Sequence, residues 1–168
     1  MRVQSGLLLG TVLDGTAKYF SNLKDFEASI AVHQKAIAVR QSLVDEFPAE
    51  FQFSRALAKS FVGLSGALQS MGNLEDAIAQ SEVAKPIYVD LLRRRPEDDD
   101  TRVQIITLLL NVASTRRMRM EYDEALLNIQ ETEQHLKLLR PETSPALVGK
   151  LRNALLEVRA SLLQAQAN

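Results

Sequence analysis

Apolar positions recur along the chain at steps of three, four and seven residues, the period of a helix with one buried face. Phe26, Ile30, His33, Ile37, Val44 and Phe47 form one such stripe, and Phe61, Leu64, Leu68 and Met71 form another. Gly72-Asn73 follows the second stripe, and both residues tolerate the left-handed conformation that ends many helices. The next helix starts near Leu74 and runs to Arg93-Arg94-Arg95, whose cations suit a helix C-terminus, before Pro96 prevents continuation. Glu97-Asp98-Asp99-Asp100 then places acids at the start of the following helix. The pattern predicts seven helices over roughly 2–22, 25–46, 50–71, 74–94, 98–119, 122–140 and 145–166. Each is about 30 Å long. Short connections make successive helices antiparallel neighbours, and Pro86 predicts a bend in the fourth.

A lag of 48 residues aligns the chain with itself. Phe26, Leu74 and Tyr122 coincide, as do Ile30, Ile78 and Leu126, then Ala36, Ala84 and Thr132, then Leu43, Leu91 and Leu139. Pro48 falls on Pro96, and the acids Glu27, Glu75 and Asp123 keep step. Amphipathic helices compared at random would align apolar residues alone. Agreement of small residues and breakers as well indicates an internal repeat, with units 1–48, 49–96 and 97–144 and a terminal helix over 145–166. That helix fits as the first of a fourth unit once one residue is inserted near Pro145, which sets Val158 under Leu109 and Leu162 under Ala113. It reads as the solvating cap that stacked repeats need at an end.

Composition narrows the class. Seven Gly, five Pro and 5% aromatics do not supply the turns and strands of an all-β fold, and 46% hydrophobic residues support a sizeable core. The formal charge of −1 gives no overall field for nucleic acid or an anionic membrane. The absence of cysteine removes thiol nucleophiles, thiolate metal sites and disulfides. The start, Met1 to Leu13, has one basic residue and a short apolar run, but Asp14 ends the run without a small-residue cleavage site, so a first amphipathic helix is expected rather than a leader. No apolar stretch approaches the ~20 residues that span a bilayer. A cytoplasmic protein is the expectation.

The unit resembles the tetratricopeptide repeat, whose pattern runs W-x2-L-G-x2-Y, then A-x3-F, A and P. The second copy is the nearest, with Phe61, Leu64, Ser65, Leu68, Ala77, Ser81 and Ala84 at those places and Pro96 closing it. The third reads Leu109, Val112, Ala113, Arg116, Ala125, Ile129 and Thr132, and the first Leu13, Thr16, Ala17, Phe20, Ser29, His33 and Ala36, closed by Pro48. The family unit has about 34 residues; the longer unit here extends the helices, and is similar to long tetratricopeptide-like arrays found beside bacterial signalling kinases. The resemblance implies an all-α, right-handed α-solenoid of antiparallel helix pairs, and a scaffold or adaptor that binds a peptide or helix on its concave face. First helices line that face in the family. The matching positions are Thr11, Asp14, Lys18, Lys59, Val62, Gly66, Gln69, Thr107, Leu110, Ser114 and Arg117. The Lys and Asn clamp of chaperone-binding members is replaced by Asp14, Lys18, Val62 and Gly66, which points away from that specificity.

Little in the sequence points to catalysis. His33 and His135 are the ordinary candidates for a base; His33 shares its repeat position with Ser81 and Ile129, and His135 with Val39 and Ile87, so both read as core or core-edge residues. Glu131 and His135 stand one turn apart, but a stable metal site needs three or four ligands, so no metal or other cofactor is expected. Gly10 to Thr16 has phosphate-loop glycine spacing without the Lys and Ser or Thr that such a loop requires. Arg93-Arg94-Arg95 and Arg116, Arg117 and Arg119 lack the interleaved aromatics of a nucleic-acid surface. Arg116 nevertheless occupies a usually apolar repeat position, and with Arg117 and Arg119 it is a candidate contact for an acidic peptide. The alternatives are a helical-bundle enzyme or ligand-binding protein using His33 or His135 in an internal pocket, and a structural homo-oligomer in which exposed repeat ends dock on one another.

Overall fold

Among the described residues, seven helices form where the apolar periodicity and the breakers place them. In the computed structural model they are α1 (Arg2–Asn22), α2 (Phe26–Glu46), α3 (Phe51–Met71), α4 (Leu74–Arg94), α5 (Asp99–Met118), α6 (Tyr122–Lys137) and α7 (Pro145–Gln166). The structure describes residues 2–166, with side chains from Gly6 onward. Met1 and the side chains of residues 2–5, part of the leader-like opening, lie outside the described residues. The described chain is all-α, without a strand. Gly10 and Gly15, spaced as in a phosphate loop, are both interior to α1, and α4 runs on through Pro86. No helix among the described residues is long and apolar enough to cross a membrane.

The repeat is visible in backbone detail. Helices α2, α4 and α6 start at the aligned residues Phe26, Leu74 and Tyr122, and α3 and α5 at the aligned Phe51 and Asp99. Preceding α2, α4 and α6, Lys24, Gly72 and Met120 all adopt positive φ, at 61°, 90° and 63°. The next N–H in each case, from Asp25, Asn73 and Glu121, donates five residues back to the carbonyls of Phe20, Leu68 and Arg116 at 3.0, 2.9 and 2.9 Å. Each copy thus ends its first helix with one left-handed residue and one long reverse bond. Only Gly72 takes that conformation without a Cβ penalty.

The chain forms two compact units, Met1–Ile87 and Tyr88–Asn168, the division falling within α4. In the first, α1 packs on α2 and α2 on α3, and Leu64, Leu68 and Ala77 gather with Ile30 and Ile37. Small hydroxyls let these helices approach: Ser29 Oγ donates to the Ala17 carbonyl at 3.0 Å, and the Ser65 and Ser81 hydroxyls meet at 2.9 Å. In the second unit α5 packs on α6, and α7 on both. Its core joins Ile106, Leu110 and Ala113 of α5, Ala125, Ile129 and Leu136 of α6, and Leu151, Leu155 and Leu162 of α7. Helix packing in sequence order, each helix on its neighbour, is the order of an α-solenoid within each unit. Aligned small residues are equally buried: Ser29, Ala77 and Ala125 have no exposed surface, nor have Ala36, Ala84 and Thr132.

The largest departure from the expected bounds is at the end of α6. Helix α6 ends at Lys137 rather than near 140, because Asp99 captures the chain beyond it. The Arg140 N–H and Nε donate to Asp99 Oδ2 at 3.3 and 3.1 Å, and Thr143 Oγ1 donates to the same oxygen at 2.6 Å. Burial raises the Asp99 pKa, but these bonds and the Arg140 charge outweigh it and hold the carboxyl below its ordinary value. α7 then opens on Pro145, whose missing N–H is harmless in a first turn.

Candidate functional site

Within the second unit, the outer sides of α5 and α7 leave a groove of about 260 Å³ between them. Thr107, Leu110, Asn111 and Ser114 form one wall, and Leu151, Ala154, Glu157 and Val158 the other. Steps of three and four bring Thr107, Leu110 and Ser114 onto one side of α5. Leu110 and Leu151 are buried, so the floor is apolar; the rim is hydroxyl, amide and carboxylate. The Thr107 hydroxyl donates to the Val103 carbonyl at 2.9 Å, which leaves its lone pairs as acceptors towards the groove. Arg117 continues the same α5 stripe one turn beyond Ser114. It is half-buried, and its Nε is buried without a hydrogen-bond partner.

Three of the expected groove residues are therefore brought together, with Arg117 in line with them. Arg116 is not a free contact: its Nη1 donates to Asn128 Oδ1 on α6 at 2.9 Å. In the first unit, Thr11 and Lys18 on α1 and Lys59 on α3 are exposed, while Val62, Gly66 and Gln69 are half-buried. A methyl at Gly66 would meet no atom within 4 Å, so the helix backbone is open there. Asp14 has a different role. Arg40 of α2 reaches it with two parallel bonds of 2.8 and 2.7 Å, and also donates to the Ser60 hydroxyl of α3. Arg40 is 5% exposed, and it lies against Gly10, where a Cβ would come within 3.0 Å of its Nε. Arg40 thus ties three helices together.

The histidines fall in two settings. His33 packs against Gly63, where an added Cβ would stand 2.4 Å from the ring, and its Nδ1 is buried without a hydrogen-bond partner. Burial pushes its pKa below 6.5; Asp14 opposes that shift and Arg40 adds to it. His135 lines a shallow, open depression of about 740 Å³ in the second unit, whose apolar wall includes Val89, Leu92 and Leu138 and whose lining includes Glu97 and Arg102. Arg102 is 7% exposed; one nitrogen donates to the Pro96 carbonyl, and its Nε stands 3.8 Å from Asp99 Oδ1. Among the described residues, no three His, Asp or Glu side chains are arranged to hold a metal ion.

Two parts of this geometry escaped the sequence. The α7 wall was missed because it comes from the helix whose alignment needed an inserted residue. Arg40 was missed although a signal existed: its aligned positions hold Tyr88 and Leu136, both buried, so a charge there had to find a partner. No model of a known protein family matches the chain, and no curated protein is similar to it in sequence.

Proposed function

We propose that the chain is a tetratricopeptide-like interaction module, non-enzymatic, that holds a peptide or short helix in the groove between α5 and α7. The observation that carries this reading is the convergence of Thr107, Leu110 and Ser114 on one groove with an apolar floor and a polar rim. Its volume lies just under the ~300–1,000 Å³ typical of small-molecule sites. That suits one or two side chains of a longer ligand, with the rim groups bonding its backbone or polar side chains. Arg117 favours a ligand carrying an acid about one helical turn from its apolar anchor, and Glu157 opposes acids over the groove itself. A scaffold of this kind has its place in the cytoplasm, and the 48-residue unit suits an adaptor attached to, or derived from, a larger bacterial regulator.

The test is a peptide library selected on the whole protein. Selected peptides should carry an apolar anchor with a nearby acid, and should lose at least ~10-fold in affinity on Ser114→Trp, which fills the groove, and on Arg117→Glu. The second reading, a small-ligand or catalytic site at His135, is favoured by the apolar depression of about 740 Å³ beside it, which has room for a small molecule though it is open to solvent. Binding that survives Ser114→Trp but is lost on Leu138→Glu would move the site there and overturn the groove.

A further inference from the structure

Helix α1 is apolar on two opposite sides. Leu13, Ala17 and Phe20 lie towards its packed face, where Ala17 is fully buried. On the other side Leu8, Val12, Tyr19 and Leu23 are 65%, 56%, 61% and 59% exposed. Their steps of four, seven and four residues set Leu8, Val12 and Tyr19 in one line along the helix, with Gly15 in the gap, and Leu23 continues the line from the turn just past the helix end, where its N–H still bonds the Tyr19 carbonyl at 3.1 Å. Leu9, 47% exposed, flanks the line. Together they present on the order of 500 Å² of apolar surface, as much as the largest patch on a typical monomer.

Charge selects what covers this stripe. None of Leu8, Leu9, Val12, Gly15, Thr16, Tyr19 and Leu23 is charged, so a charged partner face would be stripped of water with nothing to pair it. The other exposed leucines stand among charges: Leu127 of α6 between Glu124 and Glu131, Leu138 with Arg102 and Arg140, Leu147 one turn from Lys150, and Leu156 and Leu163 of α7 beside Arg152 and Arg159. The uncharged match is α1 itself. The stripe is also symmetric about the step from residue 15 to residue 16: Leu8 and Leu23 are equally far from it, and so are Val12 and Tyr19. A Cβ at Gly15 would meet nothing within 4 Å, so two backbones can approach closely there.

We propose that α1 pairs antiparallel with α1 of a second copy, about a two-fold axis beside Gly15. Leu8 then meets the partner's Leu23, and Val12 the partner's Tyr19. Such an isologous contact closes on itself as a dimer. It buries roughly 1,000 Å² in total, at the low end for a specific interface, so the dimer is reversible with a Kd on the order of 10–100 µM.

The chain contains no cysteine, which makes introduced thiols unambiguous reporters. Sedimentation velocity should show dimer growing with concentration through the ~10–100 µM range, and Tyr19→Glu should raise the Kd at least ~10-fold. On oxidation, an equimolar mixture of Leu8→Cys and Leu23→Cys proteins should form the mixed disulfide faster than either homodisulfide. A monomer throughout that range, a dimer indifferent to Tyr19→Glu, or faster Leu8→Cys homodisulfide formation would each overturn the pairing. Circular dichroism of each variant verifies that the helices are intact.

Discussion

The two units solve the same packing problem with opposite chemistry. In the first, the contact between α1 and α2 holds Asp14 against Arg40, with Ser60 of α3 adding a third partner. Two repeats further on, the aligned residues are Leu110 and Leu136, which share the apolar core of the second unit. The backbone frame is common to both, down to the left-handed residue before each second helix. The period therefore dictates where side chains are buried, and leaves open what they are. A buried ion pair is rarely more stabilising than leucines of similar volume, but it is far less tolerant of losing one member. The polar version is a demand for the right neighbours; the apolar version is not.

The largest effect should come from stranding Arg40. Asp14→Ala should destabilise the first unit by about 3 kcal/mol, the low end for breaking a buried pair because Asp14 retains some exposure. Urea unfolding read by circular dichroism measures it. The double replacement of Asp14→Leu with Arg40→Leu, copying the Leu110 and Leu136 contact of the second unit while Ser60 keeps its bond to the Ala56 carbonyl, should restore most of that loss. If the double variant were as unstable as Asp14→Ala, the two contacts would not be equivalent.

A smaller effect separates the units by pH. The folded pKa of His33 lies below 6.5, so its contribution is complete above pH 6.5 and is lost as the pH falls below it towards the folded value, where the unfolded chain binds the extra proton. The loss is at most about 1.4 kcal/mol per pH unit for one proton. His33→Ile, which installs the residue aligned at Ile129, should flatten this dependence in thermal melts between pH 7.5 and 5.5 (roughly one unit on either side of the ordinary histidine value). Persistence of the dependence in that variant would assign it elsewhere. The smallest change is expected at the surface of the second unit, where Arg159 and Glu133 pair at 3.0 Å with half or a third of each side chain exposed. Arg159→Ala should shift stability by less than about 0.5 kcal/mol. A loss near that of Asp14→Ala would mean that burial is not what distinguishes the two ion pairs.

Much of the fold was legible because its signals are local. Gly72-Asn73, Pro48 and Pro96 act on their own neighbours, and the apolar stripes need only a buried side to be filled. The end of α6 was not legible, because it depends on Asp99, some forty residues away, drawing in Arg140 and Thr143. The α5 wall of the groove followed from the repeat, since Thr107, Leu110 and Ser114 hold family positions. The α7 wall did not, since one inserted residue rotates every later side chain by about 100°. Arg116 misled for a related reason: an arginine at an apolar position can as easily be satisfied within the molecule as by a partner, and Asn128 is what decides it.

The even spacing of the helices has a consequence for deletions. Because the copies are of equal length, loss of residues 49–96 would splice Pro48 onto Glu97 without disturbing any helical register. The shortened product would carry α5 where α3 had been, and Arg40 would face Leu108 in place of Ser60. A guanidinium with one oxygen fewer to bind, pressed against a leucine, penalises that deletion each time it arises. Helical register alone would therefore not count the copies; the fit of the Ser60 hydroxyl to Arg40 would.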